Sequence, residues 1–373
     1  MIEIKEVLTG GDLRKFIHFP FALYAKNPFW VPPLIFDELN ILRRDKNPAF
    51  AYCEAKYWLA YKDGKIAGRV AGIINSRHVE KWKQKYARFG WIDFVDDPDV
   101  CRALLSAVEN WANGRGMTGV HGPLGFCDLD REGLLVEGFD RLSKMITIYN
   151  YPYYGEYIER CGYAKDVDWV ELEIKIPSLF PEKLERIAAM AEKRSRLTVL
   201  KAKKPKQILP YVKGVFNLLN EAYSRLYGVV PLTDEQIRAY AAQYFGYIDP
   251  QYVRVLLDAD GKVAAFGITM PSLSEALQKA RGRLLPFGFA HILSALKKKE
   301  RLDLYLIAVR PDLQNKGVPA VIIREIAGSV MENHFATAET APMLEQNLKV
   351  QALWNYFDTK ICTRRRCYLK VLR

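Results

Sequence analysis

Residues 302–320 read LDLYLIAVRPDLQNKGVPA, and this stretch decides the fold of the chain. Its first eight residues are rich in leucine, isoleucine and valine, which predicts a buried β-strand over 302–309. Pro311 ends the strand, because proline cannot donate to a sheet and restricts the residue before it. From Val318 the apolar residues recur at helical spacing, so we predict a long helix after the turn.

The turn between this strand and helix has the features of an anion-binding site. It contains Gln314, Asn315, Lys316 and Gly317. Free N–H groups at the start of a helix favour a phosphate, and the lysine adds a positive charge. Glycine has no β-carbon, so a phosphate can approach the backbone closely. The turn therefore predicts a phosphate-binding loop, although an ordinary strand–turn–helix connection has the same pattern.

The pattern Val-x-Pro-x-x-Gln-x-x-Gly-x-x-Ala over residues 309–320 resembles the acyl-CoA pyrophosphate loop of the GNAT superfamily of N-acyltransferases. The superfamily loop usually reads Gln/Arg-x-x-Gly-x-Gly/Ala, whereas Pro319 holds the second small position here and removes one N–H donor. The resemblance implies acetyl-CoA or another acyl-CoA as co-substrate, and no metal. It assigns the following residues to CoA: Ile307, Ala308, Val309, Gln314, Asn315, Lys316, Gly317, Val318, Ala320 and Asn347.

The resemblance also implies where the chemistry occurs. In GNAT enzymes the strand before the loop and the strand after its helix splay apart, and the pantetheine arm of CoA lies in the opening. An amine attacks the thioester directly, which requires a base and benefits from an acid for the leaving thiolate. Glu339 is the candidate base, with an exposed structural glutamate as the alternative. Trp354 stands where the family carries its tyrosine acid, and an indole cannot lose a proton near neutral pH. Tyr356 is the candidate acid only if the helix ends or turns there, since it lies about 200° around a helix from Trp354.

The order of predicted elements occurs twice along the chain. Each half reads strand, helices, hairpin, strand, helix, strand, helix and strand, and the hairpins turn at Asp63-Gly64 and Asp260-Gly261. This order is typical of GNAT proteins. We therefore predict the mixed α/β (α+β) class, with two tandem GNAT-like domains, each a mostly antiparallel sheet flanked by helices. A proline-rich change of pattern places the domains at 1–177 and 178–373.

The first half lacks the phosphate loop. Its corresponding turn, residues 93–99, contains four aspartates, which suit a helix dipole but repel a pyrophosphate. Residues 158–163 resemble the GNAT closing segment, with Ile158 in place of the tyrosine acid. We therefore predict a degenerate first domain and CoA in the second. Three further segments resemble those of a bacterial family of GNAT-like proteins, which implies the fold and not the substrate: 31–33, 133–140 and 364–368.

Composition limits the class of protein. Lysine and arginine exceed acidic residues by twelve (55 − 43), which suits an anionic cofactor; no nucleic-acid-binding motif accompanies the charge. The six scattered cysteines form no Cys-x-x-Cys pair and have no histidine cluster, which disfavours zinc. No apolar run approaches the roughly 20 residues that span a bilayer, and the N-terminus lacks a signal-peptide pattern. We predict a cytoplasmic protein that does not associate with membranes.

Three functions follow from these observations. The first is an acyl-CoA-dependent N-acyltransferase, with acetyl transfer to a small-molecule amine or aminoacyl-type acceptor as the first choice. The second is a noncatalytic protein that binds acyl-CoA or another small ligand, favoured by Trp354 and Pro319. The third, a nucleic-acid-associated protein, depends on net charge alone and is not expected. The oligomeric state stays open.

Overall fold

Helices and strands alternate as the mixed α/β (α+β) class predicts within residues 1–372, the part of the chain that the computed structural model describes. The chain divides into two units. Unit 1 comprises Met1–Trp169, Ser274–His291 and the residues from Thr363 onward, and unit 2 comprises Val170–Leu273 and Ile292–Cys362.

The first half of the chain contains the following elements in order: β1 (Ile2–Glu6), α1 (Gly10–Leu23), α2 (Ile35–Leu42), β2 (Cys53–Lys62), β3 (Lys65–Asn75), α3 (Ser76–Trp82), β4 (Tyr86–Phe94), α4 (Pro98–Gly114), β5 (Gly119–Gly122), β6 (Leu134–Glu137), α5 (Tyr153–Arg160) and β7 (Ala164–Lys175). The second half continues with α6 (Glu182–Ser195), β8 (Thr198–Val199), α7 (Val212–Ala222), α8 (Asp234–Tyr244), β9 (Val253–Leu257), β10 (Val263–Pro271), α9 (Ser274–Ala280), α10 (Gly288–Ala295), β11 (Arg301–Val309), α11 (Val318–Glu332), β12 (Thr337–Thr340), β13 (Met343–Leu344), α12 (Leu348–Gln351) and β14 (Thr359–Val371).

The two predicted hairpins are confirmed, as β2–β3 and β9–β10. In unit 1 the strand order is β1-β2-β3-β4-β5-β14-β7, and in unit 2 it is β7-β12-β11-β10-β9-β8. Most pairs are antiparallel, whereas β4–β5 and β11–β12 are parallel. Each parallel pair is joined through a helix, α4 in unit 1 and α11 in unit 2, because a parallel connection needs a crossover.

The closing strands of the two halves are exchanged. Residues 173–175 of β7 pair with β12 in unit 2, and residues 368–371 of β14 pair with β5 in unit 1. Each unit therefore takes its last strand from the other half of the sequence. The domain boundaries 1–177 and 178–373 come from the repeat in the sequence and stay a prediction. The two units of the folded chain have different boundaries.

Each unit has its own apolar core behind its parallel pair. In unit 1, α4 packs Leu104, Leu105 and Val108 against β3 and β4. In unit 2, α11 packs against β10 and β11 with Val318 and Ile322 fully buried, and α6 packs on α11. Burying each such side chain contributes about 1.5–3 kcal/mol, so these helices hold the strands of each opening in place.

Two further features bear on the predictions. The helix expected around 346–357 is only partly correct, because α12 covers four residues and Ala352–Trp354 is a 3₁₀ turn. The angular relation between Trp354 and Tyr356 expected for a regular helix therefore does not hold.

None of the helices in the described range is both long and apolar enough to cross a bilayer.

Candidate functional site

The candidate site of unit 2 is the opening between β11 and β12. These parallel strands pair over only four residues, from Arg301 with Thr337 to Leu304 with Thr340. β11 continues to Val309, whereas β12 ends at Thr340. Residues 305–309 therefore extend beyond their parallel partner, and this is the splay that the GNAT resemblance implies.

A β-bulge lies where the opening begins. In the pairing of β10 with β11, Ile268 is opposite Leu306 and the next residue, Thr269, is opposite Leu304. Tyr305 is thus the extra residue of β11. A bulge bends its strand and redirects the residues after it, and bulges often lie beside active sites.

Backbone alternation shows which residues face the opening. The N–H of Arg310 donates to the carbonyl of Ala264 in β10 at 2.9 Å. In an antiparallel ladder the direction of the backbone groups alternates, so Ala308 also faces β10 while Ile307 and Val309 face the opposite side. Of the three predicted strand residues, Ile307 and Val309 thus turn their backbone groups away from β10, and Ala308 turns its groups toward β10; the contact of all three with CoA stays a prediction.

Two side chains already contact the backbone that faces the opening. Tyr223 directly follows the end of α7, and its hydroxyl donates to the Ile307 carbonyl at 3.0 Å. Gln314 Nε2 donates to the Val309 carbonyl at 3.2 Å. The predicted phosphate-loop glutamine therefore supports the strand end, and Tyr223 is a site residue that the sequence analysis missed.

The turn after β11 is long and ends in a helix with no side-chain cap. Asn315 and Gly317 have φ of 61° and 79°, and α11 begins at Val318. The N–H of Ala320 donates to the Gly317 carbonyl at 3.0 Å, so Ala320 offers small size rather than a donor. Lys316 is exposed. The turn thus keeps the uncapped helix start and the positive charge that an anion requires.

Gly317 has a packing role that the sequence did not reveal. A β-carbon there would lie 2.9 Å from Ile187 Cγ2 and 3.3 Å from the Ala191 side chain, both on α6. The left-handed backbone at this residue also disfavours any other amino acid. Substituting Gly317 therefore perturbs the contact between α6 and the start of α11, whatever its effect on phosphate.

A row of carboxylates crosses the base of the opening. Asp303, Glu339 and Glu173 lie side by side on β11, β12 and β7. The residues next to them along each strand belong to the hydrophobic core of unit 2. Successive side chains of a strand point to opposite faces of the sheet, so the three carboxylates lie on the face away from this core. Arg301 contacts Asp303 at 3.3 Å and Glu339 at 3.4 Å, and Lys360 contacts Glu173 at 2.7 Å. Three carboxylates thus lie side by side at the base of the opening, with Arg301 and Lys360 among their partners.

Glu339, the candidate base, is buried rather than exposed, with 4% of its surface accessible. Tyr356, the candidate acid, packs against the core of unit 2 beside Trp354, and Lys183 lies 5.6 Å from its ring centre. Glu339 and Tyr356 therefore face different sides of the sheet. Asn347 precedes α12, where its N–H donates to the Leu344 carbonyl at 2.9 Å. The roles of Glu339, Tyr356 and Asn347 stay predictions.

Two tyrosines near the opening have altered acidity. Burial raises the pKa of Tyr223 to about 12, an effect that the bond to Ile307 opposes. Burial, followed by the charge of Asp303, raises the pKa of Tyr305 well above its usual value. The Tyr305 hydroxyl is buried without a hydrogen-bond partner among the described residues. Both side chains are neutral donors at neutral pH.

Unit 1 contains the same opening with different occupants. β4 and β5 pair only from Tyr86–Gly119 to Arg88–His121, after which β4 continues to Phe94. The Phe94 N–H donates to the Tyr154 hydroxyl, and the Tyr153 hydroxyl donates to the Phe94 carbonyl, both at 2.8 Å. Tyr154 is fully buried. Aromatic residues of unit 1 thus fill the opening between β4 and β5.

The turn after β4 carries carboxylates at the start of its helix. Asp97 caps α4 by accepting from the Asp99 N–H at 2.9 Å, and it also pairs with Lys62. Asp93 lies within β4 rather than at the helix start and pairs with Arg69 at 2.7 Å. A carboxylate thus takes a position at the helix start that a phosphate would need.

Unit 1 also contains a group of potential metal ligands. The donor atoms of His121, Asp166 and Cys367 lie within 4.8 Å of one another. Burial, and then the positive charge of Arg88, lower the pKa of His121 well below its usual value, so its imidazole is neutral. The same arginine charge would oppose a bound cation. The sequence analysis predicted no metal and did not anticipate this cluster.

Comparison with models of protein families finds no match. The chain is 30% identical to Protein YghO of Escherichia coli over 322 residues, which cover 86% of this chain and 81% of that protein. It is 31% identical to the bacterial ceramide synthase of Caulobacter vibrioides over 301 residues, which cover 80% and 77% of the two chains. Among solved structures, a tandem GNAT protein from the clavulanic acid biosynthesis pathway matches with a TM-score of 0.56 and 11% identity, covering 100% of this chain and 98% of that one. At this identity the match shows the fold alone.

Proposed function

Because this chain belongs to the bacterial GNAT-like family that includes Protein YghO and the bacterial ceramide synthase, we propose that it transfers an acyl group from acyl-CoA to an amine. The observation that carries the proposal is the opening between β11 and β12. It has an uncapped helix start and Lys316 at one end and the carboxylate row at the other. These two ends suit an anionic cofactor and a cationic acceptor.

We place the cofactor along β11. The pyrophosphate would contact the turn at Asn315, Gly317 and Val318, with Lys316 nearby, because the helix start offers N–H groups and a positive potential there. The pantetheine arm would pair with backbone groups of β11 beyond the bulge. Pro319 lacks an N–H, so the loop offers fewer donors than the usual pattern.

The acceptor would enter at the carboxylate row. An alkylammonium ion must lose a proton before its nitrogen can attack the thioester carbonyl, and Glu339 is the proposed base, directly or through one water. Attack forms the C–N bond, and collapse of the tetrahedral intermediate breaks the C–S bond and releases the CoA thiolate. The proton taken from the amine, or one from water, then converts this thiolate to the thiol.

Tyr223 is the proposed partner of the leaving thiolate. Its pKa of about 12 exceeds that of a thiol, about 8.5, so full proton transfer to the sulfur is unfavourable. The hydroxyl can instead donate a hydrogen bond to the developing charge, in place of its present bond to Ile307. Tyr356 stays the alternative predicted from sequence.

The proposal also covers the identity of the acceptor amine and the length of the acyl group. Ceramide is the amide of a long-chain amino alcohol, and the name of one relative makes such an amine a candidate acceptor here. Acetyl transfer to a small amine is the first choice from sequence, and a longer acyl-CoA is the alternative. We propose the cytoplasm as the location, since acyl-CoA is available there.

A noncatalytic binding function is the second candidate. The observation that favours it is Trp354, which is 8% exposed in the core of unit 2 where the family carries its tyrosine acid. Such a protein would bind acyl-CoA at the same turn and release no thiol.

The experiment combines binding with turnover. Thermal unfolding is measured with CoA, acetyl-CoA and a long-chain acyl-CoA, and thiol release is then measured with small amines and a long-chain amino alcohol. We expect stabilisation by at least one acyl-CoA, with thiol release that depends on the amine. Stabilisation without release would favour the binding function. No stabilisation and no release would contradict both.

A further inference from the structure

Residues 281–299, between β10 and β11, present a concentrated group of exposed apolar side chains. Leu285, Phe287, Phe289 and Leu293 are 76%, 73%, 49% and 55% exposed. Four of the thirteen large apolar side chains that are exposed in the described structure thus lie within nine residues. Such a concentration is typical of an interaction surface, whereas single exposed apolar residues are ordinary.

The segment is held in place by its neighbours, so the exposure is a feature of folded structure. Before it, Gln278 of α9 donates to the carbonyls of Pro28 and Trp30 at 2.8 and 2.9 Å. The Gly282 carbonyl accepts from the Ile35 N–H at 2.9 Å. These bonds fix the start of the segment within unit 1 while its apolar side chains stay at the surface.

Helix α10 has two different faces. Gly288, Ile292 and Ala295, at spacings of four and three residues, are buried. Phe289 and Leu293, four residues apart, are exposed on another face. The helix therefore has one apolar stripe that holds it in the fold and a second one that the chain leaves uncovered.

The charge around this surface identifies its partner. Within unit 1, residues 281–291 contain no aspartate or glutamate and two exposed arginines, Arg281 and Arg283. In unit 2, Lys298 lies 3.9 Å from Glu300 and Lys299 donates to Asn333, so these lysines are left out of the surface. Apolar side chains preceded by cations match the surface of an anionic bilayer, where acyl chains take the apolar groups and headgroups take the charges. A two-fold contact with a second copy would bring the arginines of both copies together, which opposes self-association.

We propose that residues 281–289 of unit 1 are an interfacial segment that binds the chain to an anionic membrane surface. Leu285, Phe287 and Phe289 enter the region of the acyl chains, and Arg281 and Arg283 contact the headgroups. This inference revises the prediction of no membrane association. It goes beyond acyl transfer and does not depend on it.

Cosedimentation of the full chain with lipid vesicles tests the proposal. The vesicles are phosphatidylcholine, alone or with about a quarter phosphatidylglycerol. We expect binding to the anionic vesicles to weaken at least tenfold in the double variant Leu285→Ser, Phe287→Ser. The matched control is Leu179→Ser, Leu348→Ser, which removes side chains 81% and 70% exposed in unit 2 and should bind as the unchanged chain does. Arg281→Glu with Arg283→Glu should abolish the preference for anionic vesicles.

A depth measurement separates insertion from charge attraction alone. In Phe287→Trp, the new indole should be quenched by lipids brominated on their acyl chains, while Leu179→Trp in unit 2 should show no added quenching. Equal vesicle binding by the Leu285/Phe287 variant and the unchanged chain would overturn the proposal. So would an absence of binding to either vesicle, or concentration-dependent self-association that the same two substitutions remove.

Discussion

In unit 1 the parallel pair β4–β5 ends at Arg88 and His121, and in unit 2 the corresponding pair β11–β12 ends one residue beyond Asp303 and Glu339. Both pairs then splay, and a helix packed behind each of them begins after the longer strand. The charged residues differ between the two units. Unit 1 has Arg88 at the base of the opening and aspartates at the turn. Unit 2 has Asp303 and Glu339 at the base, both in contact with Arg301, and Lys316 at the turn.

The occupants of the openings differ as well. Tyrosines satisfy both backbone groups of Phe94 in unit 1, whereas in unit 2 Tyr223 and Gln314 each contact one carbonyl of β11. The comparison teaches that the same strand arrangement can be closed by tyrosines, as in unit 1, or left with a single side-chain contact at each carbonyl, as in unit 2. The predictions below test this contrast, beginning with the largest effect.

The largest effect is expected from Glu339→Gln, which keeps the shape of the side chain and removes the proposed base. We expect thiol release to fall by about 10²-fold or more, since a general base contributes 10²–10⁴-fold. Acyl-CoA affinity should stay nearly unchanged. The matched control is Glu332→Gln at the exposed end of α11. Steady-state assays that return full turnover for Glu339→Gln would remove its role.

Substitution of Gly317 should destabilise unit 2 through packing. In Gly317→Ala the new β-carbon meets Ile187 at 2.9 Å, and the positive φ costs a further 1 kcal/mol or so. Together we expect a loss of about 2–3 kcal/mol, measured by urea unfolding. Gly328→Ala in the same helix is the control, because nothing lies within 4 Å of its new carbon and alanine favours helices. Equal stability of the two variants would contradict the packing role.

A buried carboxyl group of unit 1, that of Asp130, predicts a pH effect. Asp130 accepts from the N–H groups of Phe126 and Cys127 at 2.7 and 3.3 Å, yet burial raises its pKa from 3.8 to about 6. The folded state therefore binds more protons than the unfolded state between these values, so stability falls as pH rises through this window. One such group contributes up to about 3 kcal/mol.

Urea unfolding at pH 4, 5 and 6 measures this contribution. Asp130→Asn cannot titrate, so we expect a flatter dependence of the free energy of unfolding on pH than in the unchanged chain. Asp260→Asn, in the exposed β9–β10 turn, should retain the original slope. Parallel slopes for Asp130→Asn and the unchanged chain would show that this carboxyl does not titrate as described.

The smallest effect is expected from the tyrosines. Tyr223→Phe removes the donor proposed for the thiolate and should slow thiol release about tenfold, since a hydrogen bond to a charged group contributes about 1.5 kcal/mol or more. Tyr356→Phe should slow it about twofold at most, because Tyr356 packs against the core on the other side of the sheet. Initial rates at saturating acyl-CoA measure both. The reverse ranking would restore the acid predicted from sequence.

Local signals in the sequence predicted much of the fold. The Asp-Gly turns specified both hairpins, and the apolar run at 302–309 specified β11. The turn residues 314–317 were recognised from their spacing. The helix around 346–357 was overestimated, because a short α12 and a 3₁₀ turn follow the same apolar spacing for only two turns.

The rest of the site depends on contacts between distant parts of the chain. Tyr223 and Ile307 are 84 residues apart in sequence, and no local pattern marks that hydrogen bond. The carboxylate row needs the register of three strands, one of them supplied by the other half of the chain. The packing role of Gly317 depends on α6, which precedes it by more than a hundred residues.

The central claim is that CoA binds the turn of unit 2 and not that of unit 1, and calorimetric titration of CoA into two charge variants tests it most directly. Lys316→Glu and Asp99→Lys each change one exposed residue near a helix start, and neither replaces a glycine or a capping residue. We predict that Lys316→Glu weakens CoA binding at least tenfold, since it loses a charge-assisted contact and adds repulsion. Asp99→Lys should bind as the unchanged chain does. Unchanged affinity in Lys316→Glu, or a change confined to Asp99→Lys, would contradict the account.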